Sequence, residues 1–347
     1  MQCREFSGIN SFLVGMAKDL LRNGVERQTR GCKCFELPYP VIIKINNPLS
    51  RIVTIPERGW NYILPYVESL SLAAGRNDMK IMGFYVKKLY DFSDDKEFMR
   101  AGYGPRMRFF NGIADDYKIG YDPQPQNSSN KRIIKVDQFE FVEKSFVKDS
   151  YTRQGIISIT DPAKDYFLDQ HQLKVTKDFP CTGNIQFLRN GNQVDMIVNM
   201  RSNDFLWGAS GVNIFNFTFM QEYFAKILGL KVGLYYHIVN NLHYYNEFRS
   251  KLEALASIDN IVDEAYPYCM SFSNLSEFDE KIHALENYEK ALREEGIKEV
   301  RDFGDEFFND WGKVFYTYYY KDNNIQFSNP SLNLVAKRKM DKDLVKQ

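Results

Sequence analysis

The chain has 347 residues, of which 44% are hydrophobic and 15% aromatic, enough for one large core or two modest ones and too apolar for a disordered chain. Lys plus Arg and Asp plus Glu are both 45, so no global field draws it toward nucleic acid or an anionic membrane. No apolar run is long enough to span a bilayer, and Met1-Gln2-Cys3-Arg4-Glu5 lacks the layout of a signal peptide. Five cysteines, an odd number, argue against a disulfide framework and predict a reduced, cytoplasmic protein. Cys32 and Cys34 are too close for a zinc pair, and the four histidines show no ligand cluster, so no metal is expected.

In chain order, Phe12, Leu13, Met16, Leu20 and Leu21 predict a helix over 10–24, ended by Gly24. Cys32 to Ile45 reads as strand, stopped by Asn46-Asn47-Pro48. Trp60 to Ala74 reads as helix, and a Pro/Asn/Ser-rich loop follows at 122–130. Strands are predicted at 155–159, 184–188 and 194–198, the last two joined by an Asn190-Gly191 hairpin. Met220, Tyr223, Phe224, Ile227 and Leu228 trace a buried helix ending at Gly229. Further on, Leu275, Phe278, Ile282, Leu285, Tyr288 and Leu292 define an amphipathic helix with Asn274 and Glu277 as a capping pair. An apolar patch spans 303–320, and the ending from Lys337 reads as a solvated tail. There is no internal repeat and no glycine-rich phosphate loop.

Four short motifs follow one another between residues 179 and 245. They are Phe179-Pro180-Cys181-Thr182, Met200-Arg201-Ser202-Asn203-Asp204, Gly211-Val212-Asn213 and Leu242-His243-Tyr244-Tyr245. Taken singly, each has a bland reading: a Cys in a core, an Arg in a surface ion pair, a His or Tyr with a satisfied polar tip. Together, in this order and spacing, they resemble the thymidylate synthase family, and most closely its divergent branch of pyrimidine-nucleotide hydroxymethylases.

The resemblance implies an α/β (α+β) fold, a mixed bent sheet with flanking helices over residues 1–250. A mainly helical C-terminal extension over 251–347 is expected to pack on the same core. It also implies a homodimer whose sheets pack back to back, and a folate co-substrate, methylenetetrahydrofolate. Cys181 matches the nucleophile, whose thiolate adds to the 6-position of the pyrimidine ring and later leaves. Glu68, seven residues before Gly75, matches the glutamate that relays protons to the base's carbonyl. Tyr103 matches the tyrosine near the 5-position proton, with Arg108 as the downstream arginine. Arg201 and Ser202 match the phosphate-binding pair, a guanidinium fork with an added hydroxyl donor. Arg153 matches an arginine donated across the dimer, and Arg30 a further phosphate arginine, with Arg27 as an alternative alignment. Asn213 matches the residue that reads the base, and its amide suits uracil's carbonyl and ring N–H. His243 and Tyr245 match the sugar-binding pair; Asp204 and Gly208 match the wall facing the folate.

The departures are informative. Thr182 and Met200 stand where the family commonly has His and Gln. No tryptophan matches the family's platform over the folate, Tyr90 being the nearest candidate, and no apolar closing tail is recognisable. Hydride transfer needs water kept out, so these losses favour hydroxymethylation of dUMP or UMP over methylation. Thymidylate synthase proper, a dCMP or CMP hydroxymethylase and a non-catalytic nucleotide-binding module remain alternatives. From the residues alone, a Cys–His hydrolase is a further one, pairing Cys181 with His243 or His237 and using Asn240 or Asn241 to orient the ring.

Overall fold

The computed structural model describes residues 2–29, 31–120, 135–169, 171–322 and 324–344. Its strands, in chain order, are β1 (Gln2–Phe6), β2 (Val25–Thr29), β3 (Cys32–Glu36), β4 (Val41–Ile45), β5 (Ile156–Ser158), β6 (Thr182–Asn190), β7 (Gln193–Met200), β8 (Asn203–Asp204), β9 (Lys231–Val239) and β10 (Leu242–Tyr245). They form a mixed six-stranded sheet ordered β1-β4-β9-β7-β6-β5 and a smaller one ordered β2-β3-β10-β8. The fold is α/β with a mixed sheet and flanking helices, as the motifs implied.

Local chemistry explains where elements begin and end. The single strand expected over 32–45 is two strands in different sheets, because Pro38 and Pro40 lie between them and lack the N–H a ladder needs. The Asn190-Gly191 signal does make the hairpin: Asn190 pairs with Gln193, and Gly191 takes φ 61° between them. Asn274 caps the Leu275–Glu294 helix, accepting from the Glu277 N–H at 2.9 Å. Glu277 reaches back one residue further than a capping box requires, to the Ser273 N–H at 2.7 Å. The predicted loop at 122–130 lies outside the described residues. Lys337 is not in a solvated tail but in the helix Pro330–Leu344, which buries Leu332, Val335 and Ala336.

The helix Ile214–Ile227 runs through the core, with every residue but Lys226 buried. One side of it meets the large sheet, where Phe187 and Phe224 pack at 4.5 Å. The C-terminal helices cover the rest: Phe278 stacks on Tyr223 at 4.5 Å, and Phe307 on Phe219 at 4.3 Å. The helix Glu306–Tyr320 adds Trp311, fully buried, whose indole N–H donates to the Tyr66 carbonyl at 2.9 Å. Two arginines, Arg76 buried and Arg108 half-buried, tie the helix Leu275–Glu294 to the N-terminal half, Arg76 through Glu286 and Arg108 through Asp279.

The topology sets the site. β6 and β7 are antiparallel neighbours, and the Arg201 N–H extends their ladder to the Cys181 carbonyl at 2.9 Å. Parallel pairing of β10 with β8 places His243 opposite Asp204. Cys181, Arg201, Asp204 and His243 thus converge where the two sheets meet.

Candidate active site

Cys181 stands immediately before β6, half-buried, with its Sγ 3.6 Å from Arg201 Nη2. Arg201 is locked in place by its own neighbours: Nε donates to the Pro180 carbonyl at 2.9 Å, Nη2 to the Phe179 carbonyl at 3.2 Å, and the guanidinium lies over the Phe179 ring at 4.8 Å. A fixed cation beside a thiol favours its anion, the form that attacks. The Tyr103 hydroxyl accepts from the Cys181 and Thr182 N–H groups at 3.3 and 3.2 Å. Burial and the neighbouring thiol hold that phenol well above its ordinary pKa, so it stays protonated and can donate.

These groups border a cleft of about 590 Å³ whose walls also include Glu68, Arg76, Asp178, Asn203, Asp204, Trp207, Gly208, Asn213 and Tyr245. Glu68 accepts from Asn216 Nδ2 at 2.9 Å. Burial lifts its pKa to about 7; the Asn216 bond opposes that rise and the charge of Asp178 adds to it. A carboxyl so poised can take and return a proton near neutrality.

The wall opposite is a π-helical segment, Phe205–Asn213, leading into the core helix. Such segments recur at functional sites because the wider turn displaces side chains from the helical register. Asp204 caps it, one carboxyl oxygen accepting the Trp207 N–H. Its other oxygen, Oδ2, is buried without a hydrogen-bond partner. Burial raises the Asp204 pKa, while the Trp207 N–H, then His243, the Leu206 N–H and Arg58, pull it back. An orphaned buried oxygen is one that a bound donor would satisfy.

Asn203 donates from Nδ2 to His237 Nε2 at 2.8 Å, and the Tyr235 hydroxyl meets His237 Nδ1 at 2.8 Å. Burial drives His237 down to about 3, so this is a neutral relay that fixes an amide. With both ring nitrogens occupied, His237 does not serve a Cys–His hydrolase. His243 is likewise oriented by Asn241, Nδ1 to Oδ1 at 2.9 Å, and packs edge-on to Tyr245 at 5.5 Å. Ser202 follows Arg201 and its hydroxyl lies 3.4 Å from Asn241 Oδ1.

Several expectations fall elsewhere. Arg153 is exposed and borders a separate recess with Lys135 and Lys148, away from the Cys181 cleft. Arg30 lies outside the described residues; Arg27, the alternative, pairs with Glu36 at 3.0 Å on the small sheet. Arg108 is a structural clamp, held by Asp137, Asp279 and the Ala73 carbonyl, and does not line the cleft. Tyr90 packs against Gly83 and donates to the Met79 carbonyl at 3.4 Å. The aromatic wall is Trp207, with Phe92 edge-on at 6.1 Å and Lys88 Nζ over its ring at 4.8 Å. The sequence held a signal for it, since Trp207 lies between Asp204 and Gly208, both already singled out. Asp178, three residues before Cys181, carried no motif.

Comparison with known proteins agrees with this geometry. The family model described as Thymidylate synthase matches residues 52–293. Three relatives are described as Deoxyuridylate hydroxymethyltransferase. That of Bacillus phage SP01 is 35% identical over 227 residues, covering 65% of this chain and 54% of the relative. That of Pseudomonas phage M6 is 28% identical over 238 residues, covering 68% and 59%. That of Delftia phage PhiW-14 is 26% identical over 217 residues, covering 60% and 52%. The chain therefore spans just over half the length of these relatives. With a family match over well more than half of the chain, and Cys181, Arg201, Tyr103 and Glu68 gathered at one cleft, the chain belongs to the thymidylate synthase family.

Proposed function

We propose that the chain adds a one-carbon unit to the 5-position of a pyrimidine nucleoside monophosphate and leaves it there as a hydroxymethyl group, with dUMP or UMP as acceptor. The observation that carries this reading is the cluster at one cleft of a thiol 3.6 Å from a fixed guanidinium, a protonated phenol and a carboxyl poised near neutrality. Attack of the Cys181 thiolate on the 6-position pushes charge onto the base's 4-carbonyl, where Glu68 can supply a proton. The enolate so formed is nucleophilic at the 5-position. Tyr103, a protonated phenol next to the nucleophile, would orient the water that accepts the 5-position proton. Arg201 and Ser202 would hold the phosphate, His243 and Tyr245 the sugar, and Asn213 the base, its amide favouring uracil over cytosine.

The carbon donor on this reading is methylenetetrahydrofolate, which supplies carbon at the formaldehyde level. The orphaned Asp204 Oδ2 fits a flat ring rich in N–H donors, with Trp207 and Gly208 alongside. The three relatives' names support hydroxymethylation. Trp207 restores an aromatic wall and so removes one argument for water entry, which keeps methylation by a thymidylate synthase as the second reading. The reading includes a reduced cytoplasmic setting, which preserves the thiol. Among the described residues no helix is long and apolar enough to cross a membrane.

We also propose a homodimer. The large sheet's outer face carries Ile42, Leu188, Ile197, Val232, Leu234, Tyr236 and Ile238, all half-buried in the single chain. Arg153 lies at the rim of that face, its carbonyl accepting from Gln186 Nε2 at 3.0 Å, and would reach the partner's cleft. The test of function is to incubate the protein with methylenetetrahydrofolate and dUMP, UMP, dCMP or CMP, and weigh the nucleotide. The expected product is hydroxymethylated dUMP or UMP with tetrahydrofolate released; a methylated nucleotide with stoichiometric dihydrofolate would make the chain a synthase.

A further inference from the structure

The Cys181 cleft contains a second carboxyl, Asp178, that neither the motifs nor the proposed roles above employ. It is fixed from two directions. Its main-chain carbonyl accepts from Arg100 Nε at 3.0 Å and from Thr176 Oγ1 at 3.2 Å, and its side-chain Oδ2 accepts the Ala101 N–H at 2.8 Å. Ala101 leads through Gly102 into Tyr103, whose hydroxyl in turn receives the Cys181 and Thr182 N–H groups. Hydrogen bonds therefore link Asp178, Tyr103 and Cys181 in one chain of contacts, while Glu68 comes to the cleft on the helix Ile63–Ala74.

The two carboxyls have different surroundings. Glu68 has one oxygen committed to the Asn216 amide, and the family resemblance gives it the work at the base's carbonyl. Asp178 is half-buried and lines the cleft. Burial raises its pKa to about 6; the Ala101 N–H, Arg100 and Arg106 hold it down, and Asp94 adds a small rise. Both arginines are shared with Asp165, and Arg100 also with Asp116, so neither neutralises Asp178 outright. Its charge in turn raises Glu68 and Tyr103. The Ala101 N–H, Arg100 and Arg106 all favour the Asp178 anion, whereas Glu68 has only the Asn216 amide, so of the two carboxyls Asp178 is the one placed to act as base and Glu68 as acid.

Hydroxymethylation needs a base that methylation does not. We propose that Asp178 is the proton acceptor for the water that adds to the exocyclic methylene of the covalently held pyrimidine. In that step the water oxygen bonds to the exocyclic carbon and one water proton passes to the Asp178 carboxylate. The methylene's electron pair moves into the ring as an enolate at the 4-carbonyl. Collapse of the enolate re-forms the 5,6 double bond and expels the Cys181 thiolate, and Asp178 returns its proton to solvent. Nothing is oxidised or reduced. This role rests on the hydroxymethylation reading.

The test is Asp178→Asn, which keeps an oxygen for the Ala101 N–H and removes the base together with the charge that adds to the rise of Glu68, so native and variant are each compared at the pH of their fastest tritium release. With nucleotide carrying tritium at the 5-position, a single turnover separates proton loss at that position from water addition. Tritium release should stay within about twofold of native, which also reports an intact fold, while hydroxymethyl product falls by about 100-fold. The rise of product formation through pH 6 should vanish in the variant. An added thiol should capture the stalled methylene as a thioether, because a thiolate needs no base. Tritium release and product falling together, or neither falling, would overturn the assignment to Asp178 alone. Methylated nucleotide and dihydrofolate from the native protein would instead overturn the hydroxymethylation reading, and this role with it.

Discussion

In the proposed function, Glu68 is a single side chain that ties catalysis to stability. Burial raises its pKa from 4.5 to about 7, so the folded protein prefers its neutral form. Its favourable contribution to folding is therefore complete below pH 4.5 and is lost as pH rises through about 7. Replacing it by Gln, which cannot ionise and can still meet the Asn216 amide, should raise the melting temperature at pH 8 far more than at pH 5. The gain at pH 8 is about 3 kcal/mol at most. Turnover should fall by about 100-fold or more if Glu68 relays the proton as proposed. Melts at the two pH values check the linkage: an equal shift at both would show that Glu68 is not held neutral by burial. The sequence identified Glu68 by its distance from Gly75, but the cause of its altered acidity is not local. Asn216 lies 148 positions away and Asp178 reaches the same cleft from another element.

At the scale of elements, the π-helical segment does most to shape the cleft. Phe205–Asn213 carries Trp207, Gly208 and Asn213 to one wall, and Asp204 pins its first turn. A Cβ on Gly208 would sit 2.9 Å from Asn213 Oδ1 and closer still to Asn203 Oδ1. Asn203 has no room to yield, because its amide is held by His237 and by the Met200 sulfur at 3.1 Å. Gly208→Ala should thus displace Asn213, the residue proposed to read the base. The expected result is a KM for the nucleotide raised about tenfold, with roughly 1–3 kcal/mol of stability lost to overpacking. Steady-state kinetics with a melting curve decide it, an unchanged KM showing that the wall adjusts without moving Asn213. Regular elements here were legible from period and punctuation: the first helix, the hairpin at Asn190-Gly191 and the capped helix from Leu275. The π-helical wall was not, because its apolar residues follow neither the 3.6 nor the 2.0 repeat and only its residue types resembled a motif. Trp207 was missed for the same reason, its direction being set by that wider turn.

For the whole molecule, the question is how an exposed arginine outside the cleft can belong to the site. Arg153 stands at the rim of a sheet face whose half-buried aliphatic side chains and Tyr236 would gain from burial against a second copy. Under the dimer reading each cleft takes Cys181 from one chain and Arg153 from the other, which makes a quantitative forecast. Cys181→Ser removes the nucleophile and should be inactive, although it keeps the phosphate and sugar contacts and so still binds nucleotide. Arg153→Ala removes a phosphate contact and should be strongly impaired, as expected for loss of a charge-assisted hydrogen bond. When the two variants are unfolded together and refolded, about half of the dimers should be mixed if pairing is random. A mixed dimer has one cleft with both defects and one that is wild type, combining Cys181 of the Arg153→Ala chain with Arg153 of the Cys181→Ser chain. Activity should therefore recover to about a quarter of native, from two preparations that are nearly inert alone. Activity no greater than the average of the two parents would mean that Arg153 serves its own chain or no cleft at all.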